Sequence, residues 1–386
     1  MLSLAIFLQS ALIVFGFLGT KLCQLVFMKI SRKNNFDLIR LLAALVVVAA
    51  HTADVSQYAA FEFLSATFSS GLAVDVFFII SGFLIFRSFK NSSSLVSYFQ
   101  KRARRILPAY VAVILISAVG LSFVSSLSFA KYFNLEFIKY IFFNLITLNF
   151  LQPTLPGVFE NQEFQAVNMS LWTIKVEIMF YLVVPLIAYW LNKTNKVWGM
   201  VAIYLSSILY TIAVVAWSNQ VGASGFVGQL EQQLPGQLAL FISGAFLYSF
   251  YDKFRQNILA ALAIATLILT VHNFVTQINF AYPIALAVFV LYFCLMFKYL
   301  GNFGKYGDFS YGIYIWHFPI LQVFVHFNLF EQPFIATPLL FLCVFAASFI
   351  SWNWIEKPFL KKRSHYTKAA ETTISGEQKT SAKTVS

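Results

Sequence analysis

The feature that most constrains this chain is a succession of apolar runs, each of about 18–21 residues, separated by short polar stretches. A helix of that length crosses the ~30 Å hydrocarbon core of a bilayer. Of the 386 residues, 59% are hydrophobic and only 11% are charged, more apolar surface than a soluble domain needs. The alternating pattern of a transmembrane barrel is absent, and so is any internal repeat. The expected class is all-α: a polytopic integral membrane protein seated in the lipid bilayer, with about ten core transmembrane helices.

The expected spans are 36–55, 71–89, 108–128, 172–191, 197–217, 235–251, 257–275, 281–298, 309–329 and 337–354. The third opens on Pro108, a favourable first-turn position. The net charge of +12 is concentrated in short loops, which is the signature of cytoplasmic connections rather than of nucleic-acid binding. The densest cluster is Lys101, Arg102, Arg104 and Arg105. Residues 137–152 are apolar but short, and 153–171 carry Glu160 and Glu163 with no Lys or Arg. A crossing at 137–152 would turn that acidic loop inward, so this segment reads as re-entrant or interfacial on the outer side.

Three regions are expected: 1–35, 36–359 and 360–386. Residues 1–27 are apolar with Lys21 as the one charge; they form an extra N-terminal helix or precede a true start at Met28. The last region reads as a disordered, basic cytoplasmic tail, with no extracytoplasmic domain expected after it. Cys23, Cys294 and Cys343 lie in apolar surroundings without C-x-x-C spacing, as small core hydrophobes do. No metal-ligand cluster is present in the sequence, so no metal is expected. Trp172 and Trp352 suit interfacial belts.

Depth selects the residues that could carry chemistry. Arg40 and His51 are eleven positions apart on the first helix, so roughly 16 Å along its axis. With Arg40 at the cytoplasmic face, His51 lies deep in the membrane, where an ionisable group is costly and functional by default. His51, Asp75 and Glu177 fall at one level, roughly 6–8 Å below the outer face at ~1.5 Å per residue. They form either a catalytic pocket, with a carboxylate orienting the imidazole, or a structural polar knot. Arg102 and Arg104, on a cytoplasmic loop, either grip phosphate or act as a topology signal that contacts anionic lipid. His317 lines a donor path or is a satisfied core histidine. Ser81 reads as packing small with Gly82 rather than as a nucleophile, for lack of a G-x-S-x-G context. His272, His326 and His365 read as incidental.

At these residues the sequence resembles membrane acyltransferase family 3, integral-membrane O-acyltransferases of surface glycans. The resemblance runs from about Phe36 to Phe359. It rests on six motifs in order: the Arg40-to-His51 spacing, VDVFFIISGFLIF (Val74–Phe86), Arg102–Arg104, SLWTIKVEIMFYL (Ser170–Leu182), SYGIYIWHFPI (Ser310–Ile320) and WIEKP (Trp354–Pro358). Two positions depart from the family pattern: Ile39 replaces a glycine before the arginine, and Ile178 replaces a second acidic residue after Glu177.

The resemblance implies an enzyme of the bacterial cytoplasmic (inner) membrane. It implies transfer of an acyl group, usually acetyl from cytoplasmic acetyl-CoA, to a hydroxyl of a cell-surface polysaccharide (exopolysaccharide or lipopolysaccharide) or lipid-linked glycan. No permanently bound cofactor is implied. Arg40, Arg102, Arg104 and Arg105, with His317 on the donor path, would serve acyl-CoA; His51 would be base or transient acyl carrier, Asp75 its support, and Glu177 close to the acceptor. Direct transfer and a covalent acyl-histidine both remain open, and partnership with polysaccharide-synthesis machinery or a second copy of the chain is compatible. A transporter of a glycan or acyl donor is the alternative, since buried ionisable groups and a basic mouth would serve it too. The inverted repeat such a transporter would carry is not found.

Overall fold

The computed structural model describes residues 33–221, 226–276 and 278–360, which contain helices and turns and no strand. The readings of residues 1–32, including the start at Met28, and of 361–386 lie outside the described residues.

Eleven principal helices follow in chain order among the described residues. They are α1 (Phe36–Ser56), α2 (Ser70–Lys90), α3 (Leu95–Gly120), α4 (Leu135–Leu145), α5 (Leu171–Lys193) and α6 (Lys196–Val221). Then come α7 (Leu234–Ser249), α8 (Ile258–Phe274), α9 (Tyr282–Leu295), α10 (Phe309–His326) and α11 (Pro333–Ile350). Six stretches are long and apolar enough to cross a membrane, those built on α1, α2, α3, α5, α6 and α11; α8 and α9 are shorter apolar helices. Each of the ten expected spans appears as a helix. The chain is a polytopic helical membrane protein.

Local chemistry sets several ends. Ser69 Oγ accepts from the Leu72 N–H at 3.1 Å to start α2, and Ser94 Oγ accepts from Ser97 N–H at 3.1 Å to start α3. This second cap moves the expected beginning of the third span from Pro108 back to Leu95. Pro108 sits inside the helix, and Lys101–Arg105 are helical, not a loop. With 26 residues, α3 is ~39 Å long, so its basic first turns extend beyond a ~30 Å hydrocarbon core.

The segment expected to avoid crossing does so. The 11-residue α4 reaches only ~16 Å, too short to span. Crossing parity agrees. Arg105 and Asp308 are ion-paired at 2.5 Å, so both lie at one face. If each expected span between them crosses, α3 and α5–α9 make six crossings, an even number that leaves α4 out.

The described residues form two compact units. The first comprises 33–36, Ala49–Ser92 and the described part of Thr173–Tyr299; the second comprises Asp37–Val48, Ser93–Trp172 and 300–360. In the first, α2 crosses α7 at a pair of glycines. A Cβ on Gly82 would lie 1.9 Å from the Phe241 carbonyl oxygen, and one on Gly244 would lie 2.0 Å from that of Ile79. Each helix presses its bare backbone onto the other, a contact that only small residues permit. Phe180 stacks on Phe241 at 4.2 Å beside this crossing.

In the second unit, Tyr110 Oη donates to the Asn144 carbonyl at 2.7 Å, tying α4 to α3. The 153–170 loop is strapped onto α10. Gln322, fully buried, donates its amide to the carbonyls of Phe164 and Ala166, Gln162 donates to the Gln322 carbonyl at 3.1 Å, and Asn168 donates to that of Ile315 at 2.9 Å. Trp352 is 2% exposed, not in an interfacial belt. Its indole lies where a Cβ on Gly307 would be, 2.2 Å from Nε1.

Candidate active site

In the first unit, His51 and Asp75 are half-buried. Each is five residues from the helix end that adjoins the 57–69 connection, so ~7.5 Å in along its own axis. Tyr282, the first residue of α9, donates its hydroxyl to Asp75 Oδ2 at 2.9 Å. That bond brings the start of α9 to the same end of the unit as the start of α2. The expected outer level of Asp75 therefore coincides with the α8–α9 turn. His272, near the end of α8, stacks on Tyr282 with ring centroids 4.9 Å apart and planes at 26°. His272 Nδ1 is enclosed without a hydrogen-bond partner.

Glu177 is half-buried on α5 and accepts from Tyr181 Oη at 2.7 Å, one turn along the same helix. Lys175, only 6% exposed, donates to Gln233 Oε1 at 2.6 Å. Two imidazoles, two carboxylates, two phenols and a buried ammonium group thus occupy one helical unit. They can hold, orient and move protons away from bulk water. Sequence reasoning missed Tyr282 and Lys175 and read His272 as incidental. The signal for Lys175 was present: a cation inside an apolar run is a functional candidate by position alone.

The second unit carries an ion-paired cluster. Asp308 Oδ2 accepts from Arg40 at 2.6 Å and from Arg105 at 2.5 Å, and Arg105 also reaches Glu356 at 2.9 Å. Local sequence aims these groups. Gly307 has φ +136, a backbone that a side chain rarely adopts. It lets Trp352 pack where a Cβ would be. Asp308 Oδ1 caps α10, accepting from Ser310 N–H at 3.2 Å and Ser310 Oγ at 2.5 Å. Glu356 Oε1 accepts from Ser351 Oγ at 3.0 Å. The Arg105 guanidinium also lies 5.3 Å over the Tyr311 ring. Two cations and two anions make this cluster charge-balanced, and both carboxylates are enclosed, at 2% and 1% side-chain exposure.

This alters how the expected donor residues are arranged. Arg40 and Arg105 direct guanidinium N–H groups to carboxylates. Arg102 and Arg104 are two apart on α3, hence ~200° apart around its axis, so they cannot grip one phosphate as a pair from a loop. Arg104 has no hydrogen-bond or ion-pair partner among the described residues. His317 is fully buried and its Nδ1 lies 2.6 Å from the Tyr314 carbonyl. That contact makes Nδ1 the proton-bearing nitrogen, as in a core histidine. No group of three or more His, Cys, Asp or Glu residues among the described residues could hold a metal ion.

A helical membrane unit that carries acid–base side chains within its apolar helices suits either an enzyme or a transporter of the bilayer. The family comparison decides between them: a family model described as an acyltransferase domain matches residues 33–355, and the chain belongs to that acyltransferase family. Among curated relatives it is similar to an O-acetyl transferase of Shigella phage Sf6, 26% identical over 86% of this chain and 98% of that one. It is also similar to the peptidoglycan O-acetyltransferase OatA of Listeria monocytogenes, 24% identical over 85% of this chain and 56% of that protein. A third relative, nodulation protein 10 of Rhizobium leguminosarum, is 32% identical over 40% of this chain and 44% of its own length. No solved structure matches the chain. The protein is an acyltransferase, and the phage and Listeria relatives are named for O-acetyl transfer.

Proposed function

We propose that this acyltransferase moves an acetyl group from cytoplasmic acetyl-CoA to a hydroxyl of a cell-surface polysaccharide or lipid-linked glycan, in the bacterial inner membrane. The observation that carries the reading is the Asp75 carboxylate, held by Tyr282 at 2.9 Å in the unit that also contains His51 and Glu177. The printed activities of the phage and Listeria relatives, O-acetyl transfer and, for the latter, peptidoglycan O-acetylation, support the acyl group and a glycan acceptor.

In direct transfer, His51 takes the proton of the acceptor hydroxyl as its oxygen attacks the thioester carbonyl. The tetrahedral intermediate collapses, the C–S bond breaks, and the thiolate of CoA takes the proton back from the imidazolium. Asp75 orients the imidazole and balances its transient charge. In the two-step route, the unprotonated His51 nitrogen attacks the thioester carbonyl, the C–S bond breaks and the thiolate of CoA takes the proton of the other ring nitrogen. The acceptor oxygen then displaces the imidazole, which takes up the hydroxyl proton. Glu177 binds the acceptor in both. Arg104 supplies phosphate contacts to the donor, and Arg40 and Arg105 shape that end through Asp308. His317 flanks the donor path.

The test uses purified protein in lipid nanodiscs with radiolabelled acetyl-CoA and surface glycan from a deletion strain. Alkali-labile label on the glycan, with one free CoA thiol released per label, is expected. Absence of both with every glycan fraction of the host would overturn the reading.

A further inference from the structure

Asp75 has a role only if its carboxylate is held, and the first unit contains a device for that. We infer that Tyr282 is a positioning residue for Asp75, and that His272 fixes Tyr282 by ring stacking rather than by its own proton chemistry. This rests on the reading in which Asp75 orients His51.

Three observations carry it. First, the tyrosine has one hydroxyl proton and gives it to Asp75 Oδ2 at 2.9 Å. A donor on one oxygen fixes the rotation of the carboxyl group and leaves the other oxygen to orient a neighbour. Second, Tyr282 sits at a rigid point: it opens α9, its N–H is bonded to the Ile278 carbonyl at 3.1 Å, and Pro283 follows. Proline presets the helical backbone at that turn. Third, the phenol ring is clamped by the parallel imidazole of His272, 4.9 Å away. His272 Nδ1 has no hydrogen-bond partner, so ring contact is what the structure shows holding it there. Leaving that nitrogen unmatched costs stability, and a phenylalanine would stack without the cost.

The test is steady-state kinetics on the full chain in nanodiscs. Tyr282→Phe keeps the ring and removes the proton; kcat should fall about 10- to 100-fold, as for a lost hydrogen bond to a charged group. KM for acetyl-CoA should stay within about twofold, because ground-state donor binding is untouched. In an Asp75→Asn background the same change should cost less than about twofold, because the two act as one unit. His272→Phe should retain activity, whereas His272→Ala should reproduce the Tyr282→Phe loss.

If Tyr282→Phe destabilises the fold, 3-fluorotyrosine at the same position preserves the shape and sharpens the hydroxyl's acidity. It should displace the pH profile of kcat. Unaltered kcat in Tyr282→Phe, additive losses in the double variant, an inactive His272→Phe, or an unchanged profile with fluorotyrosine would each overturn the assignment. His51→Ala separates the two levels. Normal transfer by that variant removes the underlying reading, whereas its inactivity beside a fully active Tyr282→Phe removes this inference alone.

Discussion

Arg105 and Asp308, 203 positions apart in the chain, meet at 2.5 Å, and Arg40 reaches the same carboxylate oxygen at 2.6 Å. One anion therefore holds two cations, with side-chain exposures of 13% and 18% for the arginines. Asp308→Ala would remove the carboxylate that both guanidinium groups share and leave Arg105 with Glu356. Breaking a buried pair of this kind costs about 3–5 kcal/mol. The variant should show a clearly lower unfolding temperature in detergent. Glu356→Gln should cost less, since Arg105 keeps Asp308; an equal loss in the two would contradict the shared-anion arrangement.

The glycine crossing predicts an asymmetry among glycines. Gly82→Ala or Gly244→Ala puts a methyl group about 2 Å from a backbone carbonyl oxygen, which no side-chain rotation relieves. Folded yield should collapse. Gly120 has nothing within 4 Å of its would-be Cβ, so Gly120→Ala should be neutral or add up to roughly 1 kcal/mol of helix stability. Size-exclusion profiles of the three variants provide the comparison.

Topology is testable by labelling. A single cysteine at Glu163, exposed in the acidic loop, should react with an impermeant reagent from outside the cell. One at Lys101, exposed on the basic end of α3, should react only after permeabilisation. Reaction of the Glu163 site from the cytoplasmic side would sink the even-crossing arrangement.

Donor binding and chemistry should separate. Arg104→Ala removes charge-assisted contacts worth roughly 1.5–3 kcal/mol each, so donor affinity should drop about 10- to 150-fold. High acetyl-CoA should restore part of the activity. His51→Ala should bind CoA thioester normally and lose transfer about 100-fold or more at every donor concentration. Near-normal transfer in the second variant, or unchanged donor affinity in the first, would refute the assigned roles.

Strapping of the acidic loop offers a further check. Gln322→Leu strips the carbonyls of Phe164 and Ala166 of their donor, and buried carbonyls left unpaired cost about 1–3 kcal/mol. Limited proteolysis should then cut between residues 153 and 170 faster than in the parent, while cleavage elsewhere is unchanged.

Apolar run length made the spans legible, and the missing crossing at 137–152 followed from charge alone. What the sequence could not display was pairing. Residues 40, 105, 308 and 356 come from four separate stretches of the chain, and nothing local marks Asp308 or Glu356 as partners of the arginines. Pro108 misled for a physical reason: proline favours a first turn, but Ser94 caps earlier and the helix carries the proline inside. Tyr282 resembles any interfacial tyrosine until Asp75 is placed against it. His272 was legible by the same depth arithmetic that selected His51, since it too lies close to the outer end of its helix.

The hairpin of α8 and α9 has one more consequence. With 17 and 14 residues, these helices are ~26 and ~21 Å long, both short of an average ~30 Å hydrocarbon layer. Such hydrophobic mismatch is relieved by thinning the surrounding bilayer. The lipid boundary should therefore dip where Tyr282 and Asp75 reside, bringing headgroups and water nearer to the polar cluster. A lipid-anchored acceptor would then need to descend less far to meet it, and activity should depend on acyl-chain length in reconstituted membranes.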